Sequence, residues 1–156
     1  MVDILYSSDG SIKAATLERL VRALTDKSST PAFRHSFLLS YRSFTTPIVL
    51  LQTLAQRFWQ AEGDESENNL MRTRVVGVLK AWLEGHFYDF LGDQELTAQF
   101  LKLVERLTKQ WPSAGEQLNK VLGEGFAWLM ALRNFGFSFR FLFIEFSLRR
   151  LFVGVW

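Results

Sequence analysis

Residues 30–58, TPAFRHSFLLSYRSFTTPIVLLQTLAQRF, decide the fold. Thr30-Pro31 and Thr46-Pro47 use one device twice. A threonine hydroxyl can accept from an unpaired N–H of a helix's first turn, and proline has no N–H to lose at the first helical position. After the first pair, Phe33, Phe37, Leu38 and Tyr41 fall on one helical face; after the second, Ile48, Leu51, Leu54, Ala55 and Phe58 do. The pattern predicts two helices, the second running to about Gln60, joined by a turn at Ser43-Phe44-Thr45.

Outward from this pair the helical period continues. Leu17, Leu20, Val21 and Leu24 predict an earlier helix capped by Thr16. The polar stretch Glu62 to Asn69 reads as a surface loop, and it lacks the alternating carboxylates and closing glutamate of a calcium loop. From Leu70 a helix carries Val75, Val78, Leu79, Trp82 and Leu83 inward as far as His86. Phe87-Tyr88-Asp89-Phe90 before Gly92 reads as a packed corner. Asp93 caps a helix with Leu96, Phe100, Leu103, Val104 and Leu107 inside. Trp111-Pro112 stops that helix, and Ser113 with Glu116 forms a capping box opening a shorter one through Leu118, Val121 and Leu122. No strand pattern interrupts residues 16–122. The expected fold class is all-α, an irregular or orthogonal bundle of about five to six helices, followed by an aromatic-rich tail of open structure.

Composition bounds the function. The chain has 156 residues, 48% hydrophobic and 22% charged, with no cysteine. That is one domain with a core, with no disulfide framework, thiolate metal site or thiol nucleophile. A net charge of +2 is too balanced for a nucleic-acid protein held by a basic field. The first twenty residues lack a signal peptide's charged start and apolar run, and no stretch suits a membrane span, so a cytoplasmic protein is expected.

Chemistry leaves few traces. His35 and His86 stand in separate helices and no His-Glu-x-x-His pair occurs; no Gly-x-Ser-x-Gly elbow is present. Gly123-x-Gly125 follows a helix rather than a strand, and no phosphate-loop Lys-Ser or Lys-Thr pair exists. Carboxylates such as Asp64 and Glu65 lie in polar sequence where nothing raises a pKa. No cofactor, metal or catalytic residue is expected, which shifts weight toward binding or scaffolding.

The residues also carry a resemblance. FLLSYRSFTTP at 37–47, followed by Leu50, Leu51, Leu54 and Arg57-Phe58, resembles the N-terminal Ras-exchanger module of Ras-type guanine nucleotide exchange factors. RTRVVGVLKAWLE at 72–84, with Phe87-Tyr88-Asp89-Phe90, is similar to that module's Arg-x-Arg-Val helix and aromatic corner, and Ala14 to Leu20 fits its opening. The three blocks stand in order over roughly residues 4–110. The resemblance implies a regulatory, structural domain that packs on the catalytic exchange domain and braces the helical hairpin that opens the nucleotide site of a Ras-like GTPase. In some members it also helps form a distal GTPase-binding surface. The catalytic domain of the family is a larger helical domain C-terminal to the module, and residues 111–156 are too few to hold it. Most matched residues are expected to determine the fold: Phe37, Leu38, Tyr41, Phe44, Val75, Leu79, Trp82 and Phe87 as core, Pro47 as a helix start. Arg42 and Arg74 could satisfy helix-end carbonyls, pair with a carboxylate inside the module, or face the partner domain.

The expected module is 1–125. Residues 126–156 fall outside the family pattern, holding eight of the fifteen phenylalanines and four arginines against one glutamate. Phe135, Phe137, Phe139, Phe141 and Phe143 alternate as in a strand, yet Phe135, Phe139, Leu142, Phe143 and Phe146 also share a helical face. This tail could pack on the bundle, replace a partner domain, touch a membrane peripherally with Arg140, Arg149 and Arg150 at the headgroups, or derive from sequence never selected to fold here. The alternative to the exchanger module is therefore a small helical adaptor that binds a partner or membrane surface through the tail.

Overall fold

The computed structural model describes residues 5, 6, 8, 12–60 and 64–134. Among them are seven α-helices, preceded by a two-stranded antiparallel ladder of β1 (Leu5–Tyr6) and β2 (Ile12–Ala14). The helical bundle is as expected; the ladder and the extra helices are additions.

The three threonine starts hold. Thr16 caps α1 (Leu17–Leu24), and Thr30 caps α2 (Pro31–Ser40) by accepting from the Phe33 N–H at 3.1 Å. Thr46 caps α3 (Pro47–Trp59), with Pro47 as its first residue. Between α2 and α3 the chain makes one 3-10 turn, Tyr41–Ser43. Asp93 caps α6 (Gln94–Gln110) by accepting from the Leu96 N–H at 3.0 Å.

Three boundaries depart from expectation. Residues 65–69 are not a loop: they are the opening turn of α4 (Glu65–His86), where Asn68 is buried. Glu65 and Glu67 sit where the partial positive charge of a helix start favours carboxylates, so a polar run there does not prevent helix formation. The aromatic corner contains a short helix, α5 (Tyr88–Gly92). Ser113 is not an N-cap, because α7 (Pro112–Asn134) begins one residue earlier with proline at its first position. Helix α7 also continues past the expected module end at 125. The question of strand or helix at Phe135–Phe143 lies outside the described residues.

α3 and α4 form the centre. α3 touches α1, α4 and α6, while α7 packs along α4 and α6. Leu50, Leu54, Val75, Leu79, Trp82, Leu83, Leu96, Phe100, Leu107 and Leu118 are fully or almost fully buried. Two glycines permit close approach. A Cβ on Gly115 would stand 2.5 Å from the Thr108 Cα and against its hydroxyl, and one on Gly125 would stand 2.7 Å from the Phe87 ring. These contacts seat α7 on α6 and on the α4–α5 corner.

Candidate functional site

The polar centre of the molecule is Asp89, whose side chain is only 5% exposed. An aspartate is this buried only when its charge is answered. Its Oδ2 accepts from the Tyr41 hydroxyl, from the Trp82 indole N–H at 2.8 Å and from an Arg42 Nη2; Oδ1 accepts from Arg42 Nε at 3.0 Å. The arginine thus presents both nitrogens of its fork to one carboxylate.

Local structure brings these groups together. The 3-10 turn after α2 turns Tyr41 inward and leaves Arg42 one-third exposed. Trp82 comes from the last turns of α4, and Asp89 from α5. The Arg42 guanidinium carbon lies 4.6 Å from the centre of the Tyr41 ring and 4.8 Å from that of Tyr88, within cation–π range of both. Trp82 meets Tyr41 edge-on at 5.5 Å and Phe90 at 5.1 Å. His86 shares a hydrogen bond with the Tyr88 hydroxyl through Nδ1 at 2.9 Å.

Electrostatics follow the geometry. Burial pushes the Tyr41 hydroxyl well above its ordinary range, and Asp89 beside it adds to the shift because the neutral phenol is the better donor. Burial also raises Tyr88, against a smaller lowering by Arg42. For Arg42, burial acts against the charge, yet hydrogen bonding and attraction to Asp89 leave its pKa raised. The site locks one guanidinium and one corner.

Of the expected core residues, Phe37, Leu38, Tyr41, Val75, Leu79, Trp82 and Phe87 are buried. Phe44 is not. It is 49% exposed and meets Phe37 edge-on at 5.8 Å. The 3-10 turn ends immediately before it, which carries its ring outside the helical stripe. Arg42 pairs with a carboxylate inside the module, while Arg74 is half-buried on α4 with no hydrogen bond or ion pair among the described residues. Helix-end service falls to Arg72 instead, whose Nε donates to the Phe58 carbonyl at 3.3 Å. Arg72 also lies 4.6 Å from the Trp111 ring centre, and Arg106 lies 4.0 Å from that of Trp59. A cavity of about 80 Å³ beside this second cluster is lined in part by Phe58, Arg72, Trp111 and Gln117, too small for more than a few atoms. In the sequence Asp89 stands only as one member of the corner motif Phe87-Tyr88-Asp89-Phe90. The available signal was a lone charge in an aromatic run, a place where an unpaired carboxylate would be costly.

Among the described residues no cluster of three or more His, Cys, Asp or Glu could hold a metal, and no helix is long and apolar enough to cross a membrane.

Comparison with known proteins agrees with this layout. The family model described as "RasGEF N-terminal motif" matches residues 11–103, which include α1 to α5, the whole Asp89 network and most of α6. Ras guanine nucleotide exchange factor A of Dictyostelium discoideum is 34% identical over 116 residues, covering 73% of this chain and 19% of that protein. Factor C of the same organism is 37% identical over 99 residues, covering 60% of this chain and 6% of that protein. Factor I is 39% identical over 104 residues, covering 62% and 12% respectively. The chain therefore spans less than a fifth of the length of these relatives.

Proposed function

The chain belongs to the RasGEF N-terminal motif family, and we propose that it serves as the regulatory and structural N-terminal module of a Ras-type guanine nucleotide exchange factor. In this reading it braces the catalytic exchange domain in small-GTPase signalling and has no exchange activity alone. Its partner is that catalytic domain, in cis in a full-length factor, with a Ras-like GTPase as a further partner. Its place is the cytoplasm.

The observation that carries the reading is the Asp89 lock. A brace must hold its contact surface in one geometry, and three side chains, two from the turn after α2 and one from α4, converge on one buried carboxylate of α5. The lock's own Arg42 is one-third exposed, Tyr88 is partly buried, and Phe44, Leu39 and Val49 close by in the chain are exposed. Tyrosine and arginine are the residue types that concentrate binding energy at protein interfaces, and a half-exposed phenylalanine supplies an apolar anchor. Holding them rigid lowers the ordering cost of association.

The test is a binding titration between this chain and a purified Ras-type catalytic exchange domain, followed by sedimentation velocity. The expected result is a complex that Phe44→Ala weakens by roughly tenfold or more, the size of a hot-spot truncation. Failure of the folded chain to bind catalytic domains of this class would overturn the brace.

A further inference from the structure

We propose that Arg34 and Arg74, flanking Gly77 where α2 meets α4, form a binding site for a phosphate monoester group. Gly77 gives α4 no side chain at the crossing, and Arg34 Nη1 lies 3.6 Å from where its Cβ would stand. The guanidinium therefore rests against one turn of α4. Arg74 precedes Gly77 by three residues and so occupies the same face one turn away. Lys80 follows by three and extends the row, paired only loosely with Glu84 at 3.9 Å.

Neither arginine is neutralised. Both are half-buried, and neither makes a hydrogen bond or ion pair among the described residues. The nearby acid, Asp26, is already occupied: it accepts from the Ser28 N–H at 2.9 Å and the Ser28 hydroxyl at 2.7 Å, while Arg74 acts on it only as a weak charge. The contrast with the other matched arginines is direct, since Arg42 is bound to Asp89 and Arg72 to the Phe58 carbonyl. Two partly desolvated cations, one on each helix of the α2–α4 crossing, raise the local potential, and an anion bridging them relieves it. Each guanidinium offers five N–H donors in a fixed fork. A carboxylate carries a single charge and presents its acceptor sites in one plane. A phosphate monoester, with three free oxygens and close to two charges near neutral pH, accepts from two forks on different helices.

The site is tested on the full chain by following arginine Nε–H resonances of ¹⁵N-labelled protein during titration with inorganic phosphate, with sodium chloride at matched ionic strength as control. Arg34 and Arg74 should shift saturably with phosphate alone, while Arg106 stays in place. Arg34→Gln and Arg74→Gln should each weaken binding about tenfold, the loss expected for one charge-assisted fork. Gly77→Leu separates site from scaffold. It improves helix propensity yet occupies the seat of the Arg34 guanidinium, so it should keep the circular dichroism spectrum and lose phosphate affinity. Sedimentation with phosphatidylcholine vesicles containing phosphatidic acid assigns the source. Arginine-dependent co-sedimentation places the phosphate on a lipid, and saturable phosphate binding without it places the phosphate on a soluble ligand. Shifts that are linear and equal in chloride, or wild-type phosphate affinity in both glutamine variants, would overturn the proposal.

Discussion

Asp89→Ala removes one small side chain and strands three donors. The Tyr41 hydroxyl and the Trp82 indole N–H are both in buried residues and both donate to Asp89. A buried donor left without a partner costs about 1–3 kcal/mol, so the two together account for roughly 2–6 kcal/mol. Arg42, one-third exposed, can turn to water, so the lost ion pair adds less than a buried pair would. A total on the order of 2–7 kcal/mol follows. That is a large part of the stability of a domain this size, typically about 5–15 kcal/mol. Urea unfolding followed at 222 nm reads it directly, with the midpoint lowered and the slope kept, since the surface exposed on unfolding is nearly the same. Asp89→Asn, which keeps an acceptor and the shape, should lie between wild type and alanine. An Asp89→Ala variant within about 1 kcal/mol of wild type would show that the network is a consequence of packing rather than one of its causes.

Further predictions follow from neighbouring parts of the structure. The folded-state pKa of Tyr41 is raised, so its contribution to stability is full below the unfolded value near 10 and is lost as pH rises beyond it. Unfolding free energy should therefore fall above about pH 10, and Tyr41→Phe should flatten that fall while lowering stability at neutral pH. Gly115→Ala places a methyl group against the Thr108 backbone, which cannot move aside without shifting α6, and should destabilise by about 1–3 kcal/mol in the same urea assay. Trp82→Ala removes a fully buried ring that touches Tyr41 and Phe90, and should cost about 3–5 kcal/mol; an unchanged melting temperature would contradict its place in the core. Phe44→Ala, by contrast, should change stability by less than about 1 kcal/mol because half of the ring already faces water.

The helices were legible wherever local chemistry sufficed. Thr30-Pro31, Thr46-Pro47 and Asp93 each carry a start signal within four residues, and the inward stripes of α4 and α6 repeat with the helical period. What stayed hidden depended on distance or on competing local rules. Asp89 is bound by Tyr41 and Arg42, 48 and 47 residues away, and no window along the chain brings them together. The acidic run at 65–69 obeys the rule for a loop by composition and the rule for a helix start by charge, and the second prevails once Met71 and Val75 pull the following turns into the core. Phe44 shows the limit of treating every matched aromatic as core. The helical period that would bury it ends with the 3-10 turn just before it, and a break in periodicity is the least visible feature of a sequence.

The decisive measurement is how fast a fluorescent guanine nucleotide leaves a Ras-like GTPase. Added by itself, this chain should leave the rate at its intrinsic value, whereas added with a catalytic exchange domain it should raise the rate that domain achieves alone, and Asp89→Ala should remove the gain. Acceleration by the chain in the absence of any catalytic domain would contradict the claim that it works by holding another protein's moving part.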